Sequence, residues 1–296
     1  MTRFADRLAA LVDERRSQIC LGLDPDPAKL AGEGETGSGD PQAPAAELAA
    51  AAVAEHCRLL IEQAGPACVA VKPQLACFER LGAPGWAALE AACAAAREAG
   101  LLVIADGKRG DVPVTAAAYA QALVGETPTP WGPVRGLDAD AFTANPLLGR
   151  DALEPLIAAA EEAGAGMFAL VRTSNPGAAD LQDLSAPEAP LHERLAAIVD
   201  ELSERLLGEN GLSGLGAVVG ATEPQHFARM RELMPRSVFL IPGVGAQGGK
   251  PELLGAAFVA GRAAGLVAAS RGIAADPEPA AAAARLRDAV WEISTA

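Results

Sequence analysis

The chain has 296 residues, half of them hydrophobic, with 38 acidic against 24 basic side chains and a formal net charge of -14 at pH 7. That length accommodates one large α/β barrel as readily as two ordinary domains. The charge argues against a nucleic-acid or acidic-membrane surface, which needs an electropositive footprint, so any anionic ligand has to be held by local positive charge.

Residues 1–16, MTRFADRLAALVDERR, place Phe4, Leu8, Leu11 and Val12 on one face of an amphipathic helix between charges. This is not the pattern of a signal peptide, and no later run approaches membrane-spanning length. Five cysteines, Cys20, Cys57, Cys68, Cys77 and Cys93, fall in the first third without a C-x-x-C pair. They read as reduced thiols packed as small apolar residues in a cytoplasmic protein, not as a disulfide frame or a zinc knuckle. The three histidines, His56, His192 and His226, sit in predicted helices or their flanks, which puts imidazole-based mechanisms at a disadvantage.

Eight short apolar runs follow in order: QICLGLD, ACVAVKP, LLVIAD, LDADAFTAN, GMFALVR, LGAVVGA, VFLIPG and GLVAAS. Between them lie Ala- and Leu-rich segments such as 46–64 and 83–99, long enough for crossover helices between parallel strands. Eight such units in roughly 250 residues are the measure of a (β/α)₈ barrel. The expected architecture is a single TIM-barrel domain over 1–296 with an N-terminal helix. Two Gly-, Pro- and polar-rich stretches, 31–44 and 125–136, read as surface loops grafted into βα connections. The tract PAAAAARL near the end reads as helix, given the propensity of alanine.

Every run ends in polar or flexible residues. Strand one gives Asp24, strand two Lys72, strand three Asp106 and Lys108, and strand four Asn145. Strand five gives Arg172, Thr173, Ser174 and Asn175, strand six Thr222, strand seven the loop GVGAQGG, and strand eight Ser270 and Arg271. In such a barrel the carboxyl ends of all strands open on one face, so these scattered residues converge on one mouth. Asp106 and Lys108 are two apart, which sends them to the same side of a strand, with Lys72 arriving from the adjacent strand. Two carboxylates and two ammonium groups packed there imply alternating signs; one contact near 4 Å is worth roughly 4 kcal/mol at an effective dielectric of 20, before desolvation. An ammonium so surrounded stays protonated and can act as a general acid.

Alone, D-x-K-x-x-D reads equally as a solvated turn in which Asp111 caps the next helix, and Lys72 as an ordinary strand-end lysine. Eight polar strand ends favour a site. Gly107, between the charges, marks either a weak spot in the strand or a close approach. The loop Gly243–Gly249 precedes a predicted helix over 249–262; its N–H groups, the positive end of that helix and Arg271 suit an anion. The loop also matches G-x-G-x-x-G, but too near the carboxyl end to open a dinucleotide-binding half.

Taken in order, the blocks CLGLDPDP, VAVKPQLACFE, IADGKRGD, TANPLLGRD, VRTSNPG, VVGATEP, PGVGAQGG and SRGI closely resemble orotidine 5′-phosphate decarboxylase, most of all its longer bacterial branch. The resemblance spans nearly the whole chain. It implies conversion of orotidine 5′-phosphate (OMP) to UMP and carbon dioxide without metal or organic cofactor, and an active homodimer. It implies that Asp24 and Lys72 contact the ribose hydroxyls, that Asp106 lies beside the substrate carboxylate, and that Lys108 protonates carbon 6. Asp111 and Thr115 would reach the neighbouring subunit's site. Ser174 would contact the pyrimidine, Gln247 and Arg271 the phosphate, and Pro242 and Gly245 are further expected substrate contacts. Gly107, where that branch has alanine, and Pro113, where it often has glycine, depart from the pattern. Two rivals remain: a Mg²⁺-dependent sugar-phosphate decarboxylase or aldolase on the same barrel, and a catalytically silent phosphate-ligand binding module.

Overall fold

The structure, a computed structural model, describes residues 2–30, 43–185 and 187–294. Helix α1 (Phe4–Arg15) precedes eight strands: β1 (Ile19–Leu23), β2 (Ala70–Pro73), β3 (Leu102–Arg109), β4 (Ala141–Ala144), β5 (Gly166–Arg172), β6 (Ser213–Val219), β7 (Ser237–Pro242) and β8 (Gly265–Ala269). Each pairs in parallel with its neighbours, and β1 pairs with both β2 and β8, closing the barrel. The eight predicted runs are the eight strands.

The helices are α2 (Ala45–Ala64), α3 (Leu75–Glu79), α4 (Ala83–Glu98), α5 (Pro113–Leu123), α6 (Arg150–Ala163), α7 (Leu191–Leu202), α8 (His226–Leu233), α9 (Arg271–Ala274) and α10 (Pro279–Ile293). Their buried faces recur at helical spacing, as in Gly85, Ala88, Leu89, Ala92, Cys93 and Ala96 of α4. Small residues there let the helix axes lie close to the sheet.

Alternation along the strands divides the core in two. Ile19, Leu21, Val71, Val103, Ala105 and Phe142 face outward into the layer beneath the helices. Cys20, Ala70, Ile104, Ala141, Phe168, Leu240 and Leu266 face inward, and α1 plugs the amino-terminal end of that interior with Phe4, Ala5, Leu8 and Val12. Phe4 meets Phe168 edge to face, ring centroids 5.8 Å apart. Arg7 of α1 pairs with Asp140, whose other oxygen accepts from the Val103 N–H at 2.8 Å, tying the plug to two strand starts. With that end sealed, the opposite end is the one that can open.

Two expectations are corrected. No α-helix runs over 249–262; the link from β7 to β8 is three 3₁₀ turns, Pro251–Leu253, Gly255–Phe258 and Arg262–Ala264. Pro251, Gly255 and Gly261 interrupt the segment, Gly261 takes φ 116°, and the backbone closes i to i+3 instead, as from Leu254 to Pro251 and Gly261 to Phe258. The 125–136 stretch joins α5 to β4, an αβ connection at the plugged end, and it holds a short antiparallel pair of Glu126–Thr127 with Val134–Arg135. Of the other expected insertion, 31–42 lie outside the described residues; what is described places it between β1 and α2.

Phe4 is 1% exposed, and truncating a phenylalanine at such a site costs about 3–5 kcal/mol. Phe4→Ala is therefore expected to lower the stability measured by urea unfolding by that amount. The residue belongs to the sealed end, so the side chains at the open end are expected to keep their positions in the folded variant.

Candidate active site

Strand alternation that buries Ile104 carries Asp106 into the open mouth, and the same phase brings Lys72 after Ala70 and Thr143 after Ala141. Asp106 is 4% exposed. Its Oδ2 pairs with the Lys72 ammonium and accepts from Gln74 Nε2 at 3.2 Å; its Oδ1 accepts from Lys108 Nζ at 2.7 Å and Thr143 Oγ1 at 2.8 Å. Four donors fill the roughly four lone-pair sites of one carboxylate.

Burial alone would raise the Asp106 carboxyl, but the Lys72 and Lys108 ammonium groups, with their hydrogen bonds, outweigh it and hold the group well below the usual carboxylate range. Lys72 shows the mirror case. Burial would lower it, while Asp106 and Asp24 hold it above the usual lysine value. Lys108 differs in exposure: its side chain is 44% exposed, so the ammonium faces the cavity with one side free of protein. The register of β3 against β4 shifts between Ala105 and Arg109, and Lys108 itself takes φ 50°, in the left-handed region. At Gly107 a Cβ would come within 2.8 Å of Leu75 Cδ1, the far end of a flexible side chain.

The mouth is a cavity of about 600 Å³, within the range of small-molecule sites. Its lining brings together Asp24, Lys72, Asp106, Lys108, Asn145, Ser174, Pro242, Gln247 and Arg271. The charges among the lining residues are three cations against two carboxylates, a locally positive site in an acidic protein. Ser174 Oγ donates to Gln247 Oε1 at 2.8 Å, linking the loops after β5 and β7 across the opening. Gly220 makes that approach possible, since a Cβ there would stand 2.7 Å from the Ser174 backbone. Among the described residues no carboxylate pairs with the exposed Arg271 guanidinium at the other rim.

Several of the named residues stand outside this cavity. Asp111 and Thr115, at the start of α5, do not line the cavity; Asp111 Oδ1 accepts from the Val112 N–H at 2.7 Å and Thr115 is exposed. One chain therefore brings Lys72, Asp106 and Lys108 together, with Asp24 also on the lining, and leaves Asp111 outside its own cavity. Gly245 lies in the β7 loop with φ 72° but not on the cavity wall, and the N–H groups of Gly245, Gly248 and Gly249 are spent on carbonyls of the same loop. The loop therefore offers an anion less backbone than its composition suggested. Arg172 is buried and turned away, bidentate to Asp183 at 2.9 and 3.0 Å, because β5 shifts register against β6 between Leu170 and Arg172. His192 and His226 stack edge to face outside the cavity.

Thr143 and Gln74 were missed. Both touch Asp106, and both stand two residues from positions that were singled out, Asn145 and Lys72. The two-residue period of a strand was the available signal.

The family model for the orotidine 5′-phosphate decarboxylase / HUMPS family matches residues 17–286. The orotidine 5′-phosphate decarboxylase of Rhodopirellula baltica is 40% identical over 276 residues, covering 92% of this chain and 88% of the relative; that of Deinococcus radiodurans is 41% identical over 271 residues, covering 91% and 88%. A crystal structure of a putative orotidine 5′-phosphate decarboxylase from Streptomyces avermitilis superposes with a TM-score of 0.82 at 32% identity, covering 100% of this chain and 97% of that one.

Asp106→Asn leaves two ammonium groups facing each other, one of them buried, and is expected to cost about 3–5 kcal/mol of stability in urea unfolding. Asp106, with its folded pKa lowered, stabilises fully above its unfolded value near 3.9 and loses that as pH falls; Lys72, with its folded pKa raised, stabilises fully below about 10.4 and loses that as pH rises. The stability gap between wild type and variant is therefore expected to be flat from about pH 5 to 10 and to narrow on either side. A gap that widens on acidification would contradict the pairing.

Proposed function

The chain belongs to the orotidine 5′-phosphate decarboxylase / HUMPS family, and from that premise, with OMP decarboxylation to UMP in pyrimidine synthesis as its activity, we propose how the mouth performs the reaction. The observation that carries the reading is the chain of alternating charges Lys72, Asp106, Lys108, in which the terminal ammonium faces open cavity.

In this reading Asp24 and Lys72 hold the ribose hydroxyls, Ser174 the pyrimidine, and Gln247 and Arg271 the phosphate, with Pro242 and Gly245 shaping the loop around it. The substrate carboxylate then lies next to Asp106. Because two ammonium groups keep Asp106 ionised, it cannot relieve the repulsion by taking a proton. The bond from carbon 6 to the carboxylate breaks, carbon dioxide leaves, and the electron pair stays on carbon 6. The Lys108 ammonium stabilises that carbanion and donates one proton to it, and the neutral amine regains its proton from water. Phosphate contacts far from the reacting carbon supply binding energy that closes the bridged loops and excludes water.

The proposed mechanism uses no metal. A Mg²⁺-dependent enzyme on this barrel would need an added acidic ligand at the end of β2, where Lys72 and Pro73 stand. We also read the enzyme as a homodimer in which Asp111 and Thr115, which face away from their own cavity, complete the partner's.

Following the loss of pyrimidine absorbance on addition of OMP tests the whole reading. Wild type is expected to turn over with and without EDTA, and Lys108→Ala to lose about 10²–10⁴-fold or more in kcat. An undiminished rate in that variant would sink the mechanism; recovery of an EDTA-killed enzyme by Mg²⁺ would favour the rival. For the shared site, mixing inactive Lys108→Ala and Asp111→Asn chains is expected to restore about a quarter of wild-type activity, since half the dimers then hold one intact site.

A further inference from the structure

Asp106 and Lys108 are joined through a third group. Thr143, 1% exposed at the top of β4, accepts a hydrogen bond from the Lys108 backbone N–H at 2.9 Å and donates its hydroxyl hydrogen to Asp106 Oδ1 at 2.8 Å. The direction of both bonds is settled by chemistry. An ionised carboxylate only accepts and a backbone N–H only donates, so the single hydroxyl hydrogen of Thr143 goes to Asp106.

The backbone held in this way is the one that needs holding. Lys108 takes φ 50° at the point where β3 breaks register with β4; a left-handed conformation is strained for a side-chain-bearing residue and persists only where its surroundings impose it. Gly110, two residues on, is packed against Asn145, where a Cβ would lie 2.7 Å from the Asn145 carbonyl oxygen, so the segment after Lys108 is also pressed onto the β4 end. Thr143 thus ties the backbone of one charged residue to the carboxylate of the other.

We propose that Thr143 is a positioning residue: it fixes the Lys108 backbone and the Asp106 carboxylate relative to each other, so that the Lys108 ammonium is held where a proton must be delivered. The inference rests on the decarboxylase reading above. A hydroxyl is required and a β-methyl alone does not suffice. Valine keeps the shape and removes both hydrogen bonds, leaving the Lys108 N–H and one Asp106 lone pair unsatisfied. Serine keeps both.

The test compares wild type, Thr143→Val and Thr143→Ser in OMP turnover, in UMP binding by calorimetry and in amide hydrogen exchange at Lys108. Misplacing a reacting group by about 1 Å costs up to roughly 100-fold, so Thr143→Val is expected to lose about 10- to 100-fold in kcat. KM and the UMP Kd are expected to stay within about threefold, because the ribose and phosphate contacts are untouched. The Lys108 amide is expected to exchange about tenfold faster or more in the valine variant. Thr143→Ser should restore kcat and protection to near wild type. Should valine prevent folding, Thr143→Ala carries the same expectations. A valine variant with wild-type kcat, a serine variant as slow as valine, or a UMP Kd that rises in step with the loss of kcat would overturn the proposal. A wild-type enzyme that leaves OMP unchanged would defeat the functional reading instead, and Lys108 amide exchange alone would then decide the positioning claim.

Discussion

A single buried carboxylate between two ammonium groups is the constraint on which the mouth of this barrel depends. Removing any of the three charges from water costs several kcal/mol, and attraction repays that only where the geometry is good and the remaining lone pairs are satisfied. Asp106 meets that condition with four donors, two charged and two neutral. The arrangement leaves Lys72 buried and Lys108 half in the cavity. The carboxylate therefore orients Lys108 without enclosing it, which a group that must hand over a proton requires.

The rest of the fold makes this arrangement affordable. The barrel interior is apolar from its plugged end up to the last inward layer, where Ala70, Ile104 and Ala141 give way to Lys72, Asp106 and Thr143. Strand alternation thus concentrates polarity at one end, and α1 closes the other. Two register shifts refine the result: one turns Arg172 out of the mouth to Asp183, the other carries Lys108 through its left-handed conformation. The loops after β5 and β7 meet over the opening, and Gly220 after β6 leaves room for Ser174.

All eight strands were legible in the sequence because each is a short apolar run between long helical segments, and the charged residues of the mouth were legible because they end those runs. The link from β7 to β8 was not. Its Ala and Leu content suggests helix, while Pro251, Gly255 and Gly261 decide for short 3₁₀ turns. Arg172 was expected at the mouth and lies outside it, since a bulge leaves no mark in the apolar pattern. Thr143 and Gln74 leave no mark in the charge pattern, although an uncharged donor beside a buried carboxylate matters as much to its satisfaction. The position of Asp111 outside its own cavity lay beyond any reading of spacing, since D-x-K-x-x-D has the same form whether its last member faces in or out.

Two ammonium groups keep Asp106 ionised. The most direct measurement is the ¹³C chemical shift of the Asp106 carboxyl, followed by NMR in the free enzyme from pH 8 down to about 4, near the ordinary aspartate value. The shift is expected to remain that of a fully ionised carboxylate at the acid end of that range. A carboxyl already half protonated near pH 4 or above would contradict it.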